Sequence, residues 1–169
     1  MTRLFVDLDG VLADFDTGHE HHFGIRPCKK KDDVNWKAVR ETPNFYRDLP
    51  PMADFETLWA ALAPFKPTIL TGVPRDVPEA TENKRAWVTK HLGDVPMIGC
   101  RSVDKCLHGQ PGDILIDDWE KHRALWEGMG GHWITHVRAA DTIVAFAPHH
   151  MNIIRRLSEE KKDGTATAE

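Results

Sequence analysis

The sequence predicts an α/β protein: a doubly wound parallel sheet with a small helical cap inserted after the first strand. Three observations carry that expectation. Five short apolar runs are each bounded by turn residues, the mark of strands buried on both faces of a parallel sheet. Segments with apolar residues at i, i+3 and i+4 separate these runs, and such alternation builds a layered α/β core. One interval of about 35 residues, between Asp16 and Pro51, shows no buried-strand pattern. It is too long for a structureless loop in a compact domain and reads as the cap.

In chain order, Leu4-Phe5-Val6 is the first strand, and it ends on Asp7, Asp9 and Gly10. The cap segment is polar, with His19, His21 and His22, the basic run Lys29-Lys30-Lys31 and scattered aromatics, and Pro50-Pro51 closes it. Phe55, Leu58, Trp59 and Leu62 then mark one helical face. Thr68-Ile69-Leu70 is the second strand, running into Thr71-Gly72. Asp76-Val77-Pro78-Glu79 offers a capping acid with a Glu three residues on, an expected helix start. Lys84, Trp87, Val88, His91 and Leu92 form the stripe of that helix. Pro96-Met97-Ile98 and Ile114-Leu115-Ile116 are the third and fourth strands, the latter ending on Asp117-Asp118. Leu125, Trp126 and Met129 continue a helical face that Gly130-Gly131 stops, and Trp133-Ile134-Thr135 is the fifth strand. From Ser158 onward the chain is charged and rich in small residues, the composition of a frayed tail. The expected organisation is therefore a core of residues 1–15 and 52–157, a cap of 16–51 and a tail of 158–169, without internal repeats.

Composition narrows the function classes. With 169 residues, 41% of them hydrophobic, the chain can bury the core of a single domain. A net charge of −4 and a pI near 6.2 argue against sequence-independent nucleic-acid binding, which needs a basic face. No apolar stretch approaches the roughly 20 residues of a membrane span. No secretory h-region precedes the first strand, so a soluble, cytoplasmic protein is expected. Cys28, Cys100 and Cys106 are odd in number and widely spaced, as reduced thiols would be.

Ligands of open α/β sheets bind beyond the carboxyl ends of the strands. Here three strand tips present Asp7 and Asp9, Thr71 and Gly72, and Asp117 and Asp118 at one edge. Clustered carboxylates repel unless a cation or shared proton relieves them. An all-oxygen ligand set favours a hard ion, Mg²⁺ above all. Asp113, which with Asp117 mimics a GDxxxD pattern, precedes its strand and so lies at the wrong end.

DLDGV at Asp7, Thr71 after a strand, Lys84 on the next helix and ILIDD ending at Asp118 resemble the four motifs of the haloacid dehalogenase (HAD) superfamily, over residues 3 to about 137. Within it, DLDGVLADF, NFYRDLPP, NKRAWVTKHLG and ILIDD look most like the 5'(3')-deoxyribonucleotidases. The resemblance implies a HAD-like Rossmannoid core and a Mg²⁺-dependent phosphatase acting through an aspartyl phosphate. Asp7 would be the nucleophile and Asp9 the acid and base, its backbone carbonyl also reaching the metal. Thr71 and Gly72 would bind phosphate, Lys84 would hold Asp7 and the phosphoryl group, and Asp117 and Asp118 would complete the metal shell. A carboxylate nucleophile needs no general base at neutral pH. An acid at position 9 favours phosphoryl transfer over carbon–halogen cleavage, which has no leaving alcohol to protonate. The implied partner is a small phosphorylated metabolite, a nucleoside monophosphate by resemblance. The alternatives are a sugar-phosphate phosphatase, a polynucleotide 3'-phosphatase and a catalytically inactive HAD-fold binding module. Gly72 departs from the pattern, standing where a second hydroxyl is expected.

Phe15, Trp36, Phe45 and Tyr46 could stack on a base or pack inside the cap. His19, His21 and His22, like His149-His150, read as solvated rather than metal-binding, because no cysteine or carboxylate cluster accompanies them. Lys29-Lys30-Lys31 reads as a solvated face able to steer an anion. Trp87 and Trp126 are assigned to the core.

Overall fold

A computed structural model describes residues 2–27 and 33–166, with side chains through Glu159. Cys28 and Lys29-Lys30-Lys31 lie outside the described residues. Five strands, β1 (Leu4–Val6), β2 (Thr68–Gly72), β3 (Met97–Cys100), β4 (Ile114–Asp117) and β5 (His132–Thr135), form one sheet in the order β3-β2-β1-β4-β5, and every pairing is parallel. The chain enters at the centre, winds outward through β2 and β3, then returns to the far side of β1 as β4. The direction of winding thus reverses between β1 and β4, the position at which open sheets leave a crevice at their carboxyl edge.

Side chains alternate across the sheet. Leu4, Val6, Ile69, Ile114 and Ile116 enter one buried cluster, while Phe5, Leu70 and Leu115 enter another with Trp126. Around the first lie α3 (Phe55–Leu62), α4 (Ala80–Leu92), α6 (Ala139–Phe146) and α7 (His150–Ala166), represented by Leu58, Leu62, Trp87, Phe146 and Ile153. The second is smaller, covered by α5 (Arg123–Gly128) and by a 3-10 helix, Ser102–His108. Trp87 and Trp126 are both buried, and each indole N–H donates to a carbonyl, of Leu49 (2.8 Å) and His132 (3.1 Å) respectively.

Two boundaries and one helix face differ from the sequence reading. α4 starts at Ala80, not at Asp76. Pro78 disfavours helical backbone at Val77, so the chain turns first, and Asp76 instead faces Arg40 of the cap at 3.5 Å. Residues 158–166 continue α7 rather than fraying. The anchor is upstream, where Ile153 is buried and Leu157, one turn on, packs against the same cluster. Leu125 is 46% exposed although its spacing with Trp126 and Met129 placed it inside, because α5 has only six residues and turns Trp126 inward instead.

The insertion contains α1 (Phe15–Phe23) and α2 (Trp36–Glu41). Its two ends are tied together where it leaves and rejoins the core: Asp14 N donates to Pro50 O and Met52 N to Leu12 O, each at 2.8 Å. Val39, Phe45, Tyr46 and Leu49 share the main hydrophobic cluster with Leu12 and Trp87, so cap and core are packed as one body. His19 contradicts the solvated reading. It is fully buried, with Nδ1 2.6 Å from Ile25 O and Nε2 accepting from Asn35 N at 3.0 Å. These bonds assign the tautomer, with the proton on Nδ1. His21 and His22 are exposed.

Asp113, at the amino end of β4, is buried and bonded to Arg3 Nε (3.0 Å), Arg3 N (2.8 Å) and Gln110 N (2.8 Å). It fastens the edge of the sheet opposite the carboxyl-end strand tips. Cys100 and Cys106 are free thiols. No described helix is long and apolar enough to cross a membrane.

Candidate active site

The sheet register brings the acids together. Val6 pairs with Ile116, and Asp7 N donates to Ile116 O at 2.9 Å. Asp7 and Asp117 are therefore both one residue beyond the same rung, on adjacent strands. Asp7, Asp117 and Asp118 each offer a carboxylate oxygen within 4.8 Å of the others. Gly10 permits this. Its φ is +79°, and a β-carbon there would collide with the Asp118 carboxylate. Asp117 Oδ1 also accepts from Trp119 N at 2.8 Å, which fixes its orientation. The Asp9 carboxylate is not in this group.

Two buried lysines divide the acids between them. Lys84, on the stripe that the sequence identified, is fully buried; its Nζ donates to Asp9 Oδ2 (2.6 Å), Thr71 Oγ1 (3.0 Å) and Gly72 O (2.6 Å). All three ammonium protons are thereby used. Thr71 accepts from Lys84, so its own O–H is left to donate elsewhere. The ammonium beside Asp7 is Lys105, not Lys84. Lys105 Nζ donates to Asp117 Oδ2 at 2.7 Å and lies 2.9 Å from Asp7 Oδ1 in an ion pair. Lys84 is taken up by the tip of β2 and by Asp9, whereas the 3-10 helix between β3 and β4 carries Lys105 to Asp7 and Asp117. Lys105 escaped the sequence reading because no apolar period marks so short a helix. A lysine within the connection from β3 to β4, next to Cys106 and Leu107, was the available signal.

Burial and mutual repulsion shape the protonation states. Burial, then the Asp7 charge, pushes the Asp117 carboxyl up to about 6. Asp9 is raised too, burial outweighing the attraction of Lys84, with Asp7 adding to the rise. Burial alone would lower Lys105, but Asp7 and Asp117 outweigh it and push the ammonium up to about 12. Two close carboxylates share Lys105, so one negative charge remains uncompensated there. Asp9 Oδ1 is moreover buried without a hydrogen bond. An excess of negative charge, with oxygen donors only, fits a hard divalent cation held by Asp7, Asp117 and Asp118.

These groups floor a cavity of about 340 Å³, walled on the cap side by Phe15, Trp36 and Tyr46. The Lys84 ammonium lies 4.7 Å from the Tyr46 ring centroid, linking the cap to Asp9 through its lysine. Burial, then the Asp9 charge, holds the Tyr46 phenol well above its ordinary range. Phe45 does not line the cavity. It is buried behind it, edge-on to Phe15 and Tyr46 and stacked with Phe23. Its place among the substrate-contacting residues is corrected to cap core.

No protein-family model and no curated protein matches the sequence. Among solved structures, that of the L-2-haloacid dehalogenase of Xanthobacter autotrophicus with chloropropionic acid covalently bound is 14% identical, covering 86% of this chain and 82% of that one at a TM-score of 0.49. A second structure of that dehalogenase overlaps over the same shares, also at 14% identity, with a TM-score of 0.47. A HAD family hydrolase of Deinococcus radiodurans R1 with bound phosphate and sodium is 14% identical over 79% of each chain, with a TM-score of 0.45. At these values the likeness carries no argument about the chemistry of this chain, which is read from its own side chains.

Proposed function

We propose that the chain is a Mg²⁺-dependent phosphomonoester hydrolase of the HAD kind, working through a phosphorylated Asp7 and acting on nucleoside monophosphates. The observation that carries this reading is the grouping of Asp7, Asp117 and Asp118 within 4.8 Å, with Lys105 paired to the first two. A divalent ion in that carboxylate group would offset the repulsion between Asp7 and a phosphate dianion. Asp7 attacks phosphorus, forming its O–P bond as the ester P–O bond breaks. Asp9, whose raised proton affinity suits the task, gives its proton to the leaving alkoxide. Water then attacks the phosphorus. Asp9 takes the water's proton, the O–P bond to Asp7 breaks, and orthophosphate leaves with Asp7 free. Lys105 offsets the repulsion between Asp7 and Asp117 throughout, and Lys84 holds Asp9 and donates to Thr71.

The nucleotide preference is supported by Phe15 and the exposed Trp36 on the cavity wall, aromatic side chains whose faces suit a base. Hydrolysis of p-nitrophenyl phosphate with Mg²⁺, stopped by EDTA, is the expected result. Asp7→Asn lowers turnover by several orders of magnitude, as removal of a nucleophile does. Full activity in EDTA or in Asp7→Asn would end the reading. A panel of 5'- and 3'-(deoxy)nucleoside monophosphates beside sugar phosphates tests the substrate class; equal or faster turnover of sugar phosphates would overturn the nucleotide preference alone.

A further inference from the structure

Gly72 leaves the strand tip one hydroxyl short of the expected pattern, and the fold supplies a hydroxyl from another element. Gly72 pairs with Cys100 of β3, and Val73 N donates to Cys100 O at 2.7 Å. That register carries Ser102, two residues after Cys100, alongside Gly72. A β-carbon on Gly72 would collide with Ser102 Oγ. The Ser102 hydroxyl thus occupies the volume that a side chain at position 72 would take. Gly72 does not have a left-handed φ, so it is the space, not the backbone, that calls for glycine here.

Direction and availability agree with that placement. Ser102 opens the 3-10 helix Ser102–His108, in which residues three apart stack on one face. Ser102 is therefore aligned with Lys105, whose ammonium reaches Asp7 and Asp117. Ser102 is half-buried and lines the same cavity as Asp7, Gly72 and Lys105. Among the described residues its hydroxyl makes no hydrogen bond.

We propose that Ser102 is a phosphate-binding residue, its hydroxyl donating to a phosphoryl oxygen in place of a side chain at position 72. The inference rests on the phosphatase reading and adds to it the donor that the strand itself lacks. A hydrogen bond to a charged group in a water-poor site is worth more than one between neutral groups. Its loss weakens binding by roughly tenfold or more.

The test is reciprocal. Binding of inorganic phosphate in the presence of Mg²⁺ is measured by calorimetry, with KM for p-nitrophenyl phosphate beside it, for the wild type, Ser102→Ala, Gly72→Ser and the double variant Gly72→Ser/Ser102→Gly. Ser102→Ala is expected to weaken phosphate about tenfold and raise KM, while the Mg²⁺ concentration for half-activity stays put. Gly72→Ser alone is expected to bind phosphate worse still, because the two side chains claim one volume. The double variant moves the hydroxyl to position 72 and is expected to recover affinity to within about threefold of wild type, a rescue that a merely structural serine would not give. Wild-type phosphate affinity in Ser102→Ala, or a double variant no better than Gly72→Ser, overturns the proposal and leaves the phosphatase reading standing. A wild-type protein that neither binds phosphate nor hydrolyses the ester sinks both.

Discussion

Two ammonium groups serve the strand-tip acids, and they serve different ones. Lys105 sits between Asp7 and Asp117, whereas Lys84 is bound to Asp9, Thr71 and Gly72. Their removal should therefore have different consequences. In Lys105→Met the charge facing Asp7 is gone, and turnover is expected to fall by about 10²–10³, the size seen when a preorganised charge donor is deleted. The same variant makes the carboxylate group more negative, so half-activation by Mg²⁺ should shift to lower concentration. A Mg²⁺ titration of the residual activity separates the two effects, and an unchanged rate would remove Lys105 from the mechanism. Lys84→Met acts on Asp9. The Lys84 charge opposes the effect of burial on that carboxyl, so its loss raises the Asp9 proton affinity further. The limb of the pH–rate profile reporting protonated Asp9 is expected to move to higher pH. A profile displaced the other way would contradict the pairing.

Among the elements, the cap depends most on a single polar side chain. His19 joins the carbonyl of Ile25 to the amide of Asn35, on either side of the segment that links α1 to α2. Replacing it by phenylalanine keeps the ring volume but strands the Asn35 amide, a loss on the order of 1–3 kcal/mol. For a domain of this size that corresponds to a Tm lower by roughly 2–10 °C. KM is expected to rise more than kcat falls, because the aromatic wall loosens while the strand tips stay. An unaltered melting curve for His19→Phe would show that the two bonds hold nothing. Elements of this kind explain what could be seen in the sequence and what could not. The strands were legible because residues 4–6 and 114–116, buried throughout, are continuously apolar. Asp7, Asp9, Asp117 and Asp118 were legible because acids at the ends of such runs have no packing reason to be there. His19 was not, since a buried histidine satisfied by two backbone groups has the same local sequence as a solvated one. Lys105 was not, since a seven-residue 3-10 helix carries too few turns to show a buried face. The continuation of α7 past Ser158 was hidden by a polar composition that propensity alone would leave unfolded, until Ile153 and Leu157 give it a place to pack.

The molecule as a whole bears a folding cost at the place where its winding reverses. The reversal sets β1 against β4, and with them Asp7 against Asp117, while the 3-10 helix supplies only Lys105 between the two. Burial, and then Asp7, raise the Asp117 carboxyl from 3.8 to about 6. A folded value above the unfolded one means that the folded state holds the proton more tightly. The stability tied to this group is then fully present below about pH 4 and is lost as the pH rises through 6. The loss is on the order of 3 kcal/mol at neutral pH. Asp117→Asn keeps the shape and the acceptor for Trp119 N but removes the charge. In EDTA at pH 7.5 the variant is therefore expected to melt several degrees above the wild type, and the difference should shrink to nothing as the pH falls towards 4. Comparing the two proteins at each pH cancels the titration of the histidines, which both share. Mg²⁺ should reverse the order at pH 7.5, because an ion that binds only the folded state stabilises it by mass action, and the wild type keeps all three carboxylates. Melting curves followed by circular dichroism over pH 3.5–8, with EDTA and with Mg²⁺, read out both expectations. A variant less stable than wild type in EDTA at pH 7.5, together with a wild-type Tm indifferent to Mg²⁺, would mean that Lys105 already balances the acids and that no cation is called for at this edge of the sheet.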